Sequence, residues 1–178
     1  MLGVSGGISA YKAVELASKL TGGGAVVKTV MTEAACKLVG PKSFEAVTRM
    51  PVYTSMWGQA ADFEIGHINL ANWADVVAVM PATADIIAKA ANGICDDLLS
   101  TTLCACWERP FVFAPAMNSR MWSNPAVVRN VATLVERGCV QVGPVEGRLA
   151  CGEDGIGRMS ETAEIAEIIE KIAAKIEK

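Results

Sequence analysis

A single histidine stands in 178 residues, and no two cysteines are spaced C-x-x-C. Zinc and similar ions are held by clusters of His, Cys and carboxylate ligands, so this chain offers little to hold one, and no metal is expected. The six cysteines (Cys36, Cys95, Cys104, Cys106, Cys139 and Cys151) read as reduced thiols, most of them small core residues. Cys104 and Cys106 lie two apart in a predicted helix, where their side chains diverge. A basic block is also missing. With 16 Lys and Arg against 19 Asp and Glu the formal charge is −3, which lacks the electrostatic footprint of a nucleic-acid binder. No apolar run reaches the roughly 18 to 20 residues a membrane span needs. The start, MLGVSGGISAYK, lacks the charge order of a signal peptide, so a cytoplasmic protein with no membrane partner is expected. Repeats and low-complexity segments are absent too.

Hydrophobic residues make up 52% of the chain and charged residues 20%, enough to bury a sizeable core. The length fits one domain, residues 1–178. Along it, short apolar runs alternate with helical patterns. MLGVSGG reads as a strand running into a glycine turn, followed by the helical ISAYKAVELASKLTGGG. AVVKTVMT is a second strand, TEAACKLVG and PKSFEAVTRM short helices, and PVYT a small edge piece. Residues 55–72 are poorly periodic. WADVVAVMPA is a continuous buried strand followed by the helical ATADIIAKAANG; DDLLSTTLCACW is a helix, PFVFAPA a strand, NPAVVRNVATLVERG a helix and CVQVG the last strand. SETAEIAEIIEKIAAKIEK closes the chain as a helix. About five parallel strands alternating with helices predict an α/β, doubly wound, Rossmann-like sheet, which binds ligands outside the carboxyl ends of its strands.

That rule selects five loops: SGGIS (5–9), MTEAA (31–35), PATAD (81–85), PAMN (115–118) and the long GPVEGRLACGEDGIG (143–157). SGGIS aims backbone amides and a helix start at one point, which suits a phosphate, although a plain structural turn needs the same glycines. Thr32 is either a hydroxyl donor or a helix cap. His67, in GHINLANW, is the one side chain that titrates near neutrality unperturbed; it is either functional or a satisfied, partly buried histidine. Asn118 brings a donor and an acceptor to a strand end, or caps the SRMW turn. Met121 and Trp122 suit a site, an interface or the core. Cys151, among four glycines, has no partner for a disulfide or a metal.

Taken together, VSGGISAYK, GHINLANWAD, PATADIIAKAANGICDDLLSTT, APAMNSRMWSNP and RLACGEDGIGRM resemble the successive motifs of the flavin-containing cysteine decarboxylases. Within that family they resemble the bacterial branch that acts on 4'-phosphopantothenoylcysteine in coenzyme A biosynthesis. The likeness runs from residue 3 to about 160, and P-A-M-N-x-x-M-W and A-C-G-x-x-G-x-G are its specific parts. It implies FMN as cofactor, with Gly6, Gly7, Ile8 and Thr32 near its phosphate and ribityl chain and Thr83, Ala84, Asp85, Ile86 and Ala116 against its ring. It also implies His67 as base, Asn118 as the substrate-holding amide and Cys151 as acid, with Met121, Arg148, Leu149 and Ala150 along the substrate. Many relatives carry Asn where this chain has Asp85, and a carboxylate offers no hydrogen-bond donor.

The chemistry that goes with the resemblance is oxidation of the substrate's thiol-bearing carbon to a thioaldehyde, loss of CO2 to leave an ene-thiol, and re-reduction to 4'-phosphopantetheine. The carbon that lost CO2 needs a proton at the last step, and Cys151, in a glycine-rich lid, is the expected donor. Peptide-modifying relatives stop at the ene-thiol and generally lack this cysteine. The family forms homotrimers, in some members arranged into dodecamers, with flavin at subunit contacts, and its bacterial enzymes are often fused to the synthetase that makes the substrate. Competing expectations are a peptidyl-cysteine decarboxylase, a flavin prenyltransferase or a non-catalytic regulatory subunit.

Overall fold

The computed structural model describes residues 1–57 and 66–176. Six parallel strands form the central sheet: β1 (Leu2–Val4), β2 (Thr29–Met31), β3 (Val52–Tyr53), β4 (Val77–Ala82), β5 (Phe111–Pro115) and β6 (Val140–Gln141). Their spatial order is β3-β2-β1-β4-β5-β6, so the chain starts in the middle, works to one edge and then returns to build the other half. This is the doubly wound arrangement expected, and the winding reverses between β1 and β4.

Strand β4 makes the reason plain. Val76, Ala78 and Met80 belong to one buried layer, and Val77, Val79 and Ala82 to the other. Alternate side chains of a strand point to opposite faces, so a strand apolar at every position needs cover on both sides. On the first face that cover is α1 (Ala10–Gly22), α3 (Pro41–Thr48) and the closing helix α9 (Thr162–Ile176), whose Ala13, Leu16, Phe44 and Ile165 are buried. On the second face it is α4 (Gly66–Trp73), α5 (Ala84–Asn92), α6 (Leu98–Ala105) and α8 (Pro125–Glu136). Gly3 lets α6 approach β1: a Cβ there would lie 2.6 Å from Leu99 Cδ1.

Two segments differ from the sequence reading. Within the poorly periodic stretch around 55–72, residues 66–73 form α4, which buries only Leu70 and Ala71 and so carries a weak amphipathic signature; residues 58–65 lie outside the described residues. The loop expected after the sixth strand contains a β-hairpin, β7 (Val145–Arg148) paired antiparallel with β8 (Asp154–Arg158), with Cys151 in its turn. Its strands are short, mostly exposed and glycine-bearing, so neither alternation nor apolar content marks them.

Gly157 fixes this hairpin to the rest of the chain. Its carbonyl accepts from Met117 N–H at 3.0 Å, and at φ +152° a Cβ would lie 2.1 Å from Met117 O. Gly157→Ala is therefore expected to cost about 3 kcal/mol through displaced backbone, lowering the melting temperature by roughly 6 to 12 °C in calorimetry.

Candidate active site

At the reversal point the loops after β1 and β4 are tied to each other. Ser5 Oγ donates to Pro81 O at 2.7 Å and accepts from Thr83 N–H at 3.1 Å, and Thr83 Oγ1 in turn accepts from Ile86 N–H at the start of α5. Gly6 and Gly7 pass so close to their neighbours that Cβ atoms would lie 2.5 Å from Ala34 Cβ and 3.0 Å from Pro81 Cγ. The first turn thus has to be glycine for backbone approach, and it delivers the chain into α1, with Gly7 N–H closing back on Ser5 O at 2.8 Å.

A cleft of about 520 Å³ opens there. One wall is Gly6 to Ser9 with Thr83 and Ala84; the far wall is Ala116 to Asn118, Met121 and the hairpin residues Arg148 to Cys151. Twelve of the residues expected from the sequence line it together: Gly6, Gly7, Ile8, Thr83, Ala84, Ala116, Asn118, Met121, Arg148, Leu149, Ala150 and Cys151. A second cavity, about 370 Å³, lies at the opposite end of the sheet, where Val77 and Phe111 begin their strands.

Four expected residues are placed elsewhere in the single chain. Thr32 caps the short helix α2 (Glu33–Cys36), its hydroxyl accepting from Ala35 N–H at 3.1 Å, and does not line the cleft. Ile86 is buried in the core, 2% exposed, so its side chain faces away. Asp85 is an ion-pair partner of Lys89 at 3.2 Å, one helical turn on, and points into an acidic cluster with Asp96 and Asp97. Burial works against the charge of Lys89, but hydrogen bonds with Asp96, Asp97 and Asp85 outweigh it and hold the ammonium protonated. His67 sits partly buried in the first turn of α4, not among the residues lining the cleft.

Asn118 and Cys151 meet directly. The N-cap position of α7 (Ser119–Trp122) gives Asn118 a fixed orientation, because its Oδ1 accepts from Arg120 N–H at 2.8 Å. That leaves the amide NH2 aimed outward, and Nδ2 donates to Cys151 Sγ at 3.2 Å. A side-chain amide carries a second N–H, which could donate to a ligand in the cleft. On the solvent side, Glu153 Oε2 lies 3.9 Å from the sulfur. A thiol in contact with a side-chain amide thus stands at the wall of the cleft.

Several lining residues were not singled out from sequence. Ser9 Oγ is buried with no hydrogen-bond partner among the described residues, at the start of a 13-residue helix, so a hydroxyl, helix amides and the helix dipole converge where an anion would sit. Lys12 and Arg158 line the cleft with Arg148, and among the described residues no carboxylate does. The charge thus favours an anionic ligand. A phosphate-bearing planar cofactor fits a cleft of this size and charge with an orphan hydroxyl at a helix start. Ser9, Lys12 and Arg158 all lay inside quoted motifs, VSGGISAYK and RLACGEDGIGRM, but only the fold shows that they share one cleft.

A family model described as Flavoprotein matches residues 1–176. The coenzyme A biosynthesis bifunctional protein CoaBC of Bacillus subtilis is 48% identical over 171 residues, which is 96% of this chain and 42% of that protein; the chain spans less than half the length of the curated relatives it matches. Among solved structures, a PPC decarboxylase mutant complexed with pantothenoylaminoethenethiol superposes with a TM-score of 0.84 at 32% identity, over 96% of this chain and 94% of that one. The FMN-dependent cysteine decarboxylase SpaF does so with a TM-score of 0.80 at 38% identity, over 97% and 95%. A sheet wound outward from β1, a glycine turn entering α1 and a match over nearly every residue lead to one conclusion: the chain belongs to the flavoprotein family.

Proposed function

We propose that this protein decarboxylates phosphopantothenoylcysteine to phosphopantetheine with FMN as cofactor. The observation that carries the reading is the 3.2 Å contact between Asn118 Nδ2 and Cys151 Sγ, in one cleft with the glycine turn and Ser9. The names of the relatives support it: a bifunctional protein of coenzyme A biosynthesis and a PPC decarboxylase. FMN, when bound, accepts a hydride from the substrate's thiol-bearing carbon and returns it after CO2 has left. Asn118 holds the substrate carboxylate through its free N–H and so fixes the reacting carbon. Cys151 then delivers its proton to the carbon that lost CO2, and the Asn118 N–H stabilises the sulfur that remains. Arg148, Leu149 and Ala150 close over the substrate and exclude water.

Ser9 would hold the phosphate of FMN with Gly6, Gly7 and the start of α1. Ser9→Ala is expected to weaken FMN binding about tenfold, the usual effect of losing a hydrogen bond to a charged group, measured by fluorescence titration. Riboflavin, which lacks the phosphate, serves as control and should bind both forms equally.

The reading includes a homo-oligomer, with a trimer as minimal unit. Ile8, Tyr11 and Met121 rim the cleft yet are 66%, 62% and 48% exposed, a run of large apolar side chains that fits a contact with a second copy. His67, outside the cleft of its own chain, would then serve as base in a neighbour's site. Residues 1–178 would form one decarboxylase domain, working with a synthetase that supplies its substrate, either fused or separate, in the cytoplasm.

The direct test is to incubate the FMN-loaded protein with phosphopantothenoylcysteine and follow CO2 and phosphopantetheine by mass spectrometry. Formation of both supports the reading; a protein that binds FMN but releases no CO2 defeats it.

A further inference from the structure

The base of the hairpin is fastened to α1 through one carboxylate. Arg158, the last residue of β8, lies across the opposite strand: a Cβ on Gly147 would be 3.1 Å from its Cδ and 3.2 Å from its Nη1. Its guanidinium pairs with Glu161, three residues on. Glu161 Oε2 also accepts from Lys12 Nζ at 3.2 Å, across 149 positions of sequence. Lys12 lies in the first turn of α1, and its side chain is only 18% exposed. Lys12 and Arg158 both line the cleft, whereas Glu161 stands behind them. The Lys12 hydrogen bond, and then that of Arg158, holds the Glu161 carboxyl below its ordinary range, so it is ionised throughout neutral pH.

Besides the Asn118–Cys151 contact at its turn, two ties hold the base of the hairpin. The backbone bond from Met117 to Gly157 joins it to the Asn118 turn, and the Lys12–Glu161–Arg158 bridge joins it to the helix that starts at the phosphate cradle. Only the second is ionic, with Glu161 and Arg158 about half exposed, and such a pair contributes little to global stability while being able to bias a local equilibrium. We propose that Glu161 is a positioning residue: by pairing with Lys12 and Arg158 together it holds the Cys151 hairpin closed. This rests on the reaction proposed above, and there it has a specific consequence. Once CO2 has left, the substrate has lost the carboxylate that Asn118 grips, and closure is what keeps the ene-thiol in place until Cys151 protonates it.

Glu161→Gln tests this. In air, where dioxygen reoxidises flavin left reduced by each escape, the variant should release CO2 within about twofold of the wild-type rate, while the fraction of turnovers escaping as ene-thiol rises about three- to fivefold, the scale of one exposed ion pair. Hydrogen exchange of amides in residues 145–158 should quicken by a similar factor, with β4 unchanged, and Glu161→Asp should recover part of both effects. Lys12→Gln should quicken the same amides, and Lys12→Gln with Glu161→Gln should do no more than either alone, since both break one bridge. Unchanged exchange in 145–158, additive effects, or a parallel fall in CO2 and product with normal exchange would each overturn the proposal. The exchange measurements decide it even if the protein proves to act on another substrate.

Discussion

Cys151→Ser is expected to release its first equivalent of CO2 at close to the normal rate while phosphopantetheine formation falls by about 100-fold or more. General acid catalysis typically contributes 10²- to 10⁴-fold, and a serine hydroxyl is far too weak an acid to replace a thiol. In the proposed reaction the early steps do not use Cys151: the carboxylate would be held by Asn118, whose Oδ1 is fixed by Arg120 N–H independently of the sulfur. The substrate should therefore proceed to the ene-thiol and stop. Under anaerobic conditions about one equivalent per site should accumulate, two hydrogens lighter than phosphopantetheine and identifiable by mass. Asn118→Ala separates the two roles, because it should depress CO2 release itself. Normal formation of the reduced product by Cys151→Ser would remove the acid role and leave the Asn118 contact a structural one.

A mixture of two inactive proteins should regain activity. If His67 serves the cleft of a neighbouring copy, a His67→Asn chain still offers an intact Asn118 and Cys151, and a Cys151→Ser chain still offers an intact histidine. In a ring built from equal amounts of both, each site draws its histidine from one chain and its cysteine from the next. About one quarter of the sites would then hold both wild-type groups by chance. Phosphopantetheine formation should accordingly rise from near zero to roughly a quarter of the wild-type rate after the variants are dissociated together and reassembled. A site complete within one chain predicts no recovery at all. The observation behind the expectation is the placement of His67 at the head of α4, outside the cleft that twelve other expected residues share.

The central sheet was legible because its strands are buried on both faces and its helices are not. ADVVAVMPA and PFVFAPA have no polar alternation, and each runs into a helical pattern, so strand, crossover and direction follow from periodicity. The hairpin was not legible for the opposite reason. Gly147, Gly155 and Gly157 interrupt any pattern, and the pairing of β7 with β8 depends on contacts with Met117 and Arg158 that no window of local sequence contains. The same division runs through the site. Gly6, Gly7, Asn118 and Cys151 announce themselves at strand ends or in unusual company, whereas Lys12 and Glu161 become partners only once the fold has brought residues 149 apart together. Asp85 was flagged as a departure from its relatives, and the reason lies outside the flavin wall: its carboxylate is one of three around Lys89.

The bond network of Ser5 has a wider consequence. By tying the turn after β1 to the turn after β4, it makes the cradle wall a fixed jaw, whose spacing no bound molecule can alter cheaply. The opposing jaw is a fourteen-residue hairpin, from Val145 to Arg158, attached through a few discrete contacts. Such a tool changes its work by changing one jaw. A lineage could retain its grip on the coenzyme unaltered while exchanging that short ribbon, and with it both the molecule accepted and the stage at which the reaction is let go.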